Sequence, residues 1–188
     1  MSSAQTLDDA DRRTVARWAA ACAERVLPLF TAEIPDDERI PEAIARTRAY
    51  ALGESTAAEE IRQRMIAVKA AGAATSAAGA AAARAAAQAS AVAHMGAHAL
   101  GAAAYAAKAV SLASPEGPDA VRNEVRWQLD QLTDAERTAL RQLPAVGQSS
   151  GGPLGPGLLT SGVLGDVIRE IQADIGCSWR RRRRRGVR

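Results

Sequence analysis

Aromatic side chains are scarce in this 188-residue chain: one Phe, two Tyr and three Trp, 3% in all. A core must therefore be filled by Leu, Ile, Val, Met and Ala around the three Trp, and the chain is long enough to bury one without covalent staples. Cysteine is nearly absent. Cys22 and Cys177 lie far apart, with neither metal-site nor redox spacing, so they read as free thiols of a reducing compartment. No segment alternates polar and apolar residues at period two, which argues against a sheet. No run of about 20 predominantly apolar residues suits a membrane span; the longest small-residue stretch is interrupted by Arg84, His94, His98 and Lys108. Met1–Arg13 is polar and has no apolar signal region, so the expected compartment is the cytoplasm. A Gly-rich phosphate loop, a serine nucleophile elbow and a Cys/His pair in nucleophile context are all missing.

What is present in abundance is alanine. Ala70–Val110 is almost wholly alanine and glycine, with Arg84 and Lys108 as its only formal charges. Alanine is the best helix former because it loses no side-chain entropy and buries no polar group. It also supplies little core volume, so such a helix must be held by neighbours that approach its backbone closely. The stretch reads as the central helix of an all-α bundle, packed on several sides. As one helix it would be about 60 Å long at 1.5 Å per residue. A break is expected near Gly72–Gly79, where Thr75 or Ser76 can cap a new start.

The net charge of +3 is unevenly held. From Ala145 onward eight arginines stand against Asp166, Glu170 and Asp174, a surplus of five, which leaves the first 144 residues two negative. The basic balance belongs to the C-terminal segment, and the bundle gives no electrostatic reason to bind nucleic acid.

Taken in order, Thr6 or Asp8 caps a first helix with Asp8, Asp9 and Asp11 at its positive end. Val15, Trp18, Cys22, Val26 and Leu29 form one seam, with Trp18 as core packing, and Arg12, Arg13, Arg17, Glu24 and Arg25 form the wet side. Pro28 ends or kinks it. A second helix opens at Pro41, runs through Ile44 and Leu52, and stops at Gly53. A third starts at Ser55 or Thr56, with Glu59 and Glu60 in its first turn and Ile61, Met65, Ile66 and Val68 as apolar residues. After the alanine-rich helix, Asp119–Leu132 carries the seam Val121, Val125, Leu129 and Leu132 with Trp127 beside it. Thr133-Asp-Ala-Glu136 is a capping box for a short helix that Pro144 ends. Gly147–Gly165 reads as a Gly/Ser/Pro linker. Leu164, Val167, Ile168, Ile171 and Ile175 then follow at helical spacing. Arg180–Arg188 is expected to be disordered because like charges repel. The expected organisation is a helical bundle over residues 7–144 and a loosely attached segment over 145–188.

His94 and His98 stand four residues apart, on one face if the helix is continuous, which is a spacing metals use. Ser90, His94, His98, Tyr105 and Lys108 then fall within roughly 80° of arc. This polar stripe, His94, His98, Tyr105 and Lys108, is the candidate binding face. A metal reading needs a third ligand. No Asp or Glu lies between Glu60 and Glu116, so a carboxylate would have to come from Glu54, Glu59 or Glu124. Met95 stands where the zinc-protease motif has Glu. The preferred reading is that these histidines hydrogen-bond to neighbouring helices or line the surface without a metal. No cofactor is expected. The arginine tail could meet anionic lipid or nucleic-acid phosphates, or carry no role.

Several stretches resemble one family. They are Asp11-Arg12-Arg13, Trp18-Ala-Ala, Cys22-Ala-Glu-Arg-Val-Leu-Pro-Leu-Phe30, Tyr50-Ala-Leu-Gly-Glu54, Ala93-His-Met-Gly-Ala-His98 through Tyr105-Ala-Ala-Lys108, and Glu124-Val-Arg-Trp-Gln-Leu129. Over roughly Leu7–Pro144 the chain is similar to the alanine-rich immunity proteins of bacterial toxin systems, the immunity-protein-five-like helical domain. The resemblance implies an all-helical cytoplasmic protein that neutralises a cognate toxin by binding it, with the toxin as protein partner and no catalysis. A metal-dependent enzyme using His94 and His98, and nucleic-acid or anionic-membrane binding through the tail, stand as alternatives. The homo-oligomeric state is left open.

Overall fold

A computed structural model of the chain describes residues 3–185, with 177–185 described by backbone alone. The described residues form helices with no strand among them. Cys177 as a thiol lies outside the described side chains; of the segment expected to be disordered, the backbone of Arg180–Arg185 is helical and residues 186–188 lie outside the described residues.

Helix α1 spans Asp9–Val26, and the Asp8 carboxylate caps it by accepting the Asp11 N–H at 2.8 Å. It buries Val15, Trp18, Cys22 and Val26 as expected, and also Ala16, Ala19, Ala20 and Ala23. Alanine on the flanks lets helices close in on three sides. Pro28 ends α1 and opens the single turn α2, Pro28–Thr31. Helix α3, Arg39–Leu52, begins two residues before Pro41 and stops at Gly53, whose φ of 82° is the left-handed cap that favours glycine. The third expected helix is two: α4, Ala57–Gln63, with the Thr56–Glu59 capping box, and α5, Met65–Ala70. Its large apolar residues do not make the packing contact. Met65, Ile66 and Val68 are exposed, while α5 buries Ala67 and Ala70. The neighbouring helix is itself alanine, so the small side chains of α5 make the contact.

That neighbour is α6, Ala77–Ala91, capped by Ser76 as expected. The Glu33 carboxylate accepts the N–H groups of Thr75 at 2.9 Å and Ser76 at 3.0 Å, an anion at the positive helix end. These bonds, the Ser76 hydroxyl first, hold its pKa down at about 2.

The central stretch does not run on as one helix to Ser111–Ser114. It breaks at residues 92–97 and resumes as α7, His98–Ala113, which packs back along α6. The break is held from outside. The Gly96 N–H donates to the Thr6 carbonyl and the Ala97 N–H to the Gln5 carbonyl, both at 3.0 Å. Leu7 lies so close that a Cβ at Gly96 would sit 2.5 Å from its Cδ1. The paired alanine helices form the middle of the bundle. Helix α1 packs on both, α3 lies against α1 and α6, and α8, Pro118–Asp130, covers α7. Helix α9, Asp134–Leu140, carries the expected Thr133–Glu136 capping box.

The segment after Pro144 lies on the bundle. Gln5 donates to the Gly151 carbonyl at 2.7 Å and accepts the Leu154 N–H at 2.9 Å. Gln172 bonds the Val146 N–H and the Pro144 carbonyl. Helix α10, Gly162–Arg185, rests on α7 and buries Leu164, Val167, Ile168, Ile171 and Ile175, the residues whose spacing marked it.

Candidate functional site

The histidine stripe is not a single helical face. His94 is exposed in the turn between α6 and α7, and His98 is the first residue of α7. Ser90 is buried in α6, Tyr105 is buried in α7, and Lys108 is half-buried. The premise of a continuous wheel fails at the break. His98 Nδ1 lies 2.7 Å from Gln88 Oε1. Burial, with the neighbouring His94 adding to it, lowers the His98 pKa to about 4. No group of three or more His, Cys, Asp or Glu gathers in metal-binding geometry among the described residues.

A different constellation forms along α1. Arg13, Arg17 and Arg25 recur at steps of four and eight, so they share one side of the helix. Opposite them lie Arg48 of α3 and the C-terminal end of α8. Between these elements run two adjoining surface grooves. One, of about 570 Å³, is lined by Arg13, Arg17, Arg48, Leu52, Thr133 and Glu136 among others. The other, of about 460 Å³, shares Arg17 and Arg48 and adds Glu24, Arg25, Trp127 and Gln131.

Arg17 and Arg25 are fixed by buried acids beneath them. Arg17 makes a two-pronged bond to Glu136, Nε to Oε1 at 2.7 Å and Nη2 to Oε2 at 2.6 Å. Glu136 is 1% exposed and belongs to the capping box of α9, so one carboxylate serves the helix cap and the arginine. The bond to Glu136 raises the Arg17 pKa further above its ordinary value. Arg25 Nε donates to buried Glu124 at 2.7 Å, and its guanidinium lies 4.2 Å from the Trp127 ring centre. Arg48 pairs with Glu24. Arg13 stacks 4.4 Å from the Tyr50 ring and donates to the Tyr50 and Ser55 carbonyls.

The end of α8 shows why these residues sit where they do. A helix leaves its last carbonyls without intrahelical partners. Here Trp18 Nε1 donates to the Gln128 carbonyl at 2.8 Å, Arg137 to Leu129 at 2.7 Å, and Arg17 to Gln131 at 2.9 Å. Trp18 is therefore core packing and cap at once. Behind this wall lies Cys22, fully buried, and burial followed by Glu124 and Glu136 pushes its thiol pKa well up. A thiol so placed is an inert core residue.

What the groove offers chemically is a set of oriented N–H donors beside apolar surface. Helical spacing places Arg13, Arg17 and Arg25 on a solvated face and says nothing of their partners. The acids that fix Arg17 and Arg25 lie 119 and 99 residues away, beyond any local pattern.

The fold and the groove define a class: an all-α scaffold built on paired alanine helices and presenting fixed side chains at its surface. The family model described as "Imm-5 like putative immunity protein" matches residues 5–135, and the chain belongs to that family. The matched span holds the alanine pair and every groove arginine; α10 lies beyond it. Neither a curated protein nor a solved structure matches the chain. No helix among the described residues is long and apolar enough to cross a membrane.

Proposed function

We propose that this chain is an immunity protein, which neutralises a cognate bacterial toxin in the cytoplasm by binding it and turns over no substrate. The observation that carries this reading is the family match over residues 5–135. The surface agrees with it. Fixed arginines, a half-buried Trp and an exposed Leu are offered together, and Trp and Arg are among the residue types that dominate binding energy at protein interfaces. The arginines are already held by their acids, so little side-chain freedom is lost on docking.

His94, His98, Tyr105 and Lys108 fit a supporting role better than a binding face, because Tyr105 is buried and His98 is spent on Gln88. The reading is tested by co-expressing the full chain with a toxin domain encoded beside its gene. Growth is rescued by the chain and not by a helical protein of similar size; cells that die equally with and without it refute the reading.

A further inference from the structure

The groove carries a statement about the partner's chemistry. Glu136 and Glu124 are 1% and 2% exposed, whereas the side chains of Arg17, Arg25 and Arg48 are 45%, 42% and 41% exposed. The acids lie below and the guanidiniums face out. Several N–H groups remain unused among the described residues: both terminal nitrogens of Arg25, Nε and Nη1 of Arg48, and Nη1 of Arg17. Leu52, 74% exposed, lines the first of the two adjoining grooves and Trp127 the second, with Arg17 and Arg48 common to both.

Charge decides between occupants. Arg13, Arg17, Arg25 and Arg48 are matched one for one by Asp9, Glu136, Glu124 and Glu24. The groove thus has no net positive field, which a nucleic-acid backbone or an anionic membrane would need. It has short-range directional donors, which suit single carboxylates, and both terminal nitrogens of Arg25 are free to fork onto one. A second copy of this chain is also a poor fit. A two-fold contact centred on the groove would bring this arginine-bearing patch against its own copy.

We propose that the groove between α1, α3 and α8 receives an acidic segment of a partner protein. Its carboxylates take the outward N–H groups of Arg17, Arg25 and Arg48, and apolar side chains beside them pack on Leu52 and Trp127. The proposal rests on the protein-binding reading above and names the surface and the partner's chemistry. Arg17→Ala and Arg25→Ala are poor tests, because each strands a buried carboxylate. Arg48 and Leu52 are the usable positions: Arg48 pairs with an exposed acid, and Leu52 is itself exposed.

The experiment selects phage-displayed random peptides on the full-length chain. Selection should enrich peptides with Asp or Glu next to Leu, Ile or Phe. Their affinity should fall at least about tenfold, roughly 1.4 kcal/mol, in Arg48→Glu/Leu52→Asp. It should be unchanged in Met65→Asp/Val68→Asp, a pair on another exposed apolar face. The two pairs are first shown to melt like the parent, and Leu52→Asp alone serves if the double variant does not. No acidic enrichment, equal affinity for parent and variant, or a single-stranded oligonucleotide competing for the same surface overturns the proposal. The neutralisation assay separates the two claims. A groove variant that still rescues growth sinks the groove and leaves immunity standing. A parent that binds acidic peptides through Arg48 and Leu52 yet rescues nothing sinks immunity and leaves the groove.

Discussion

Acidification should weaken this protein through one residue. His98 is largely buried, its Nδ1 meets Gln88 Oε1, and its pKa is lowered to about 4 from an unfolded value of 6.5. A folded pKa below the unfolded one means the unfolded chain binds the proton more readily. Stability is therefore whole above pH 6.5 and is lost as pH falls below it. A tenfold difference in proton affinity between the two states is worth about 1.4 kcal/mol, so the loss is about 2 kcal/mol at pH 5 and levels off at about 3 kcal/mol below pH 4. The carboxylates held low, Asp9 by Arg13 and Glu33 by Ser76, start from 3.8 and 4.5, so their losses begin below this window. The assay is urea unfolding at pH 7.5, 6.0 and 5.0 for the parent and His98→Gln, whose amide can still meet Gln88. The parent should lose about 2 kcal/mol more than the variant between pH 7.5 and 5.0. Equal losses would show that His98 is not shielded from water and would refute the packing described around it.

Gly101→Leu should destabilise by about 1–3 kcal/mol or more, because even a Cβ there would sit 2.4 Å from Gln88 Oε1 and 3.2 Å from Leu159 Cδ1; a parent-like thermal melt would mean that α7 is not enclosed. Trp18→Phe removes ring volume from a fully buried site and leaves the Gln128 carbonyl without its donor, the second of which alone should cost about 1–3 kcal/mol in chemical unfolding; no change would show that the carbonyl is satisfied without the indole. The chain cut after Pro144 should remain helical and melt cooperatively at a lower temperature than the parent, since it loses the cover of Leu154, Ile168 and Ile171 over the bundle. An unfolded fragment by circular dichroism would remove the view that residues 7–144 fold alone.

Local signals were legible wherever the chemistry is local. The Ser76 start of α6, the Thr56 and Thr133 capping boxes, the Gly53 stop and the Pro28 break each rest on a few neighbouring residues. So does the apolar period of α10. The break at residues 92–97 was not legible, because its free N–H groups are satisfied by the carbonyls of Gln5 and Thr6, and nothing near His94 announces that. The histidine face drawn across it fell with the continuous helix. Alanine misled twice more. It makes contacts that larger residues would be expected to make, so α5 buries Ala67 and Ala70 while its large apolar residues Met65, Ile66 and Val68 are exposed. It also gives α1 three buried sides where one seam was expected. The groove arginines were visible as charges, but their fixing acids sit on α8 and α9, and only the fold brings them together.

Neutralisation of a toxin by stoichiometric binding, the proposed function, has a direct readout. The most direct measurement titrates a purified toxin domain, encoded beside this chain's gene, with the full-length chain while following toxin activity. Activity should fall linearly to zero at one equivalent, with a complex of that composition on a sizing column and the toxin recovered chemically intact. Activity that survives excess chain, or a toxin inactivated by far less than one equivalent and found cleaved or modified, would contradict it.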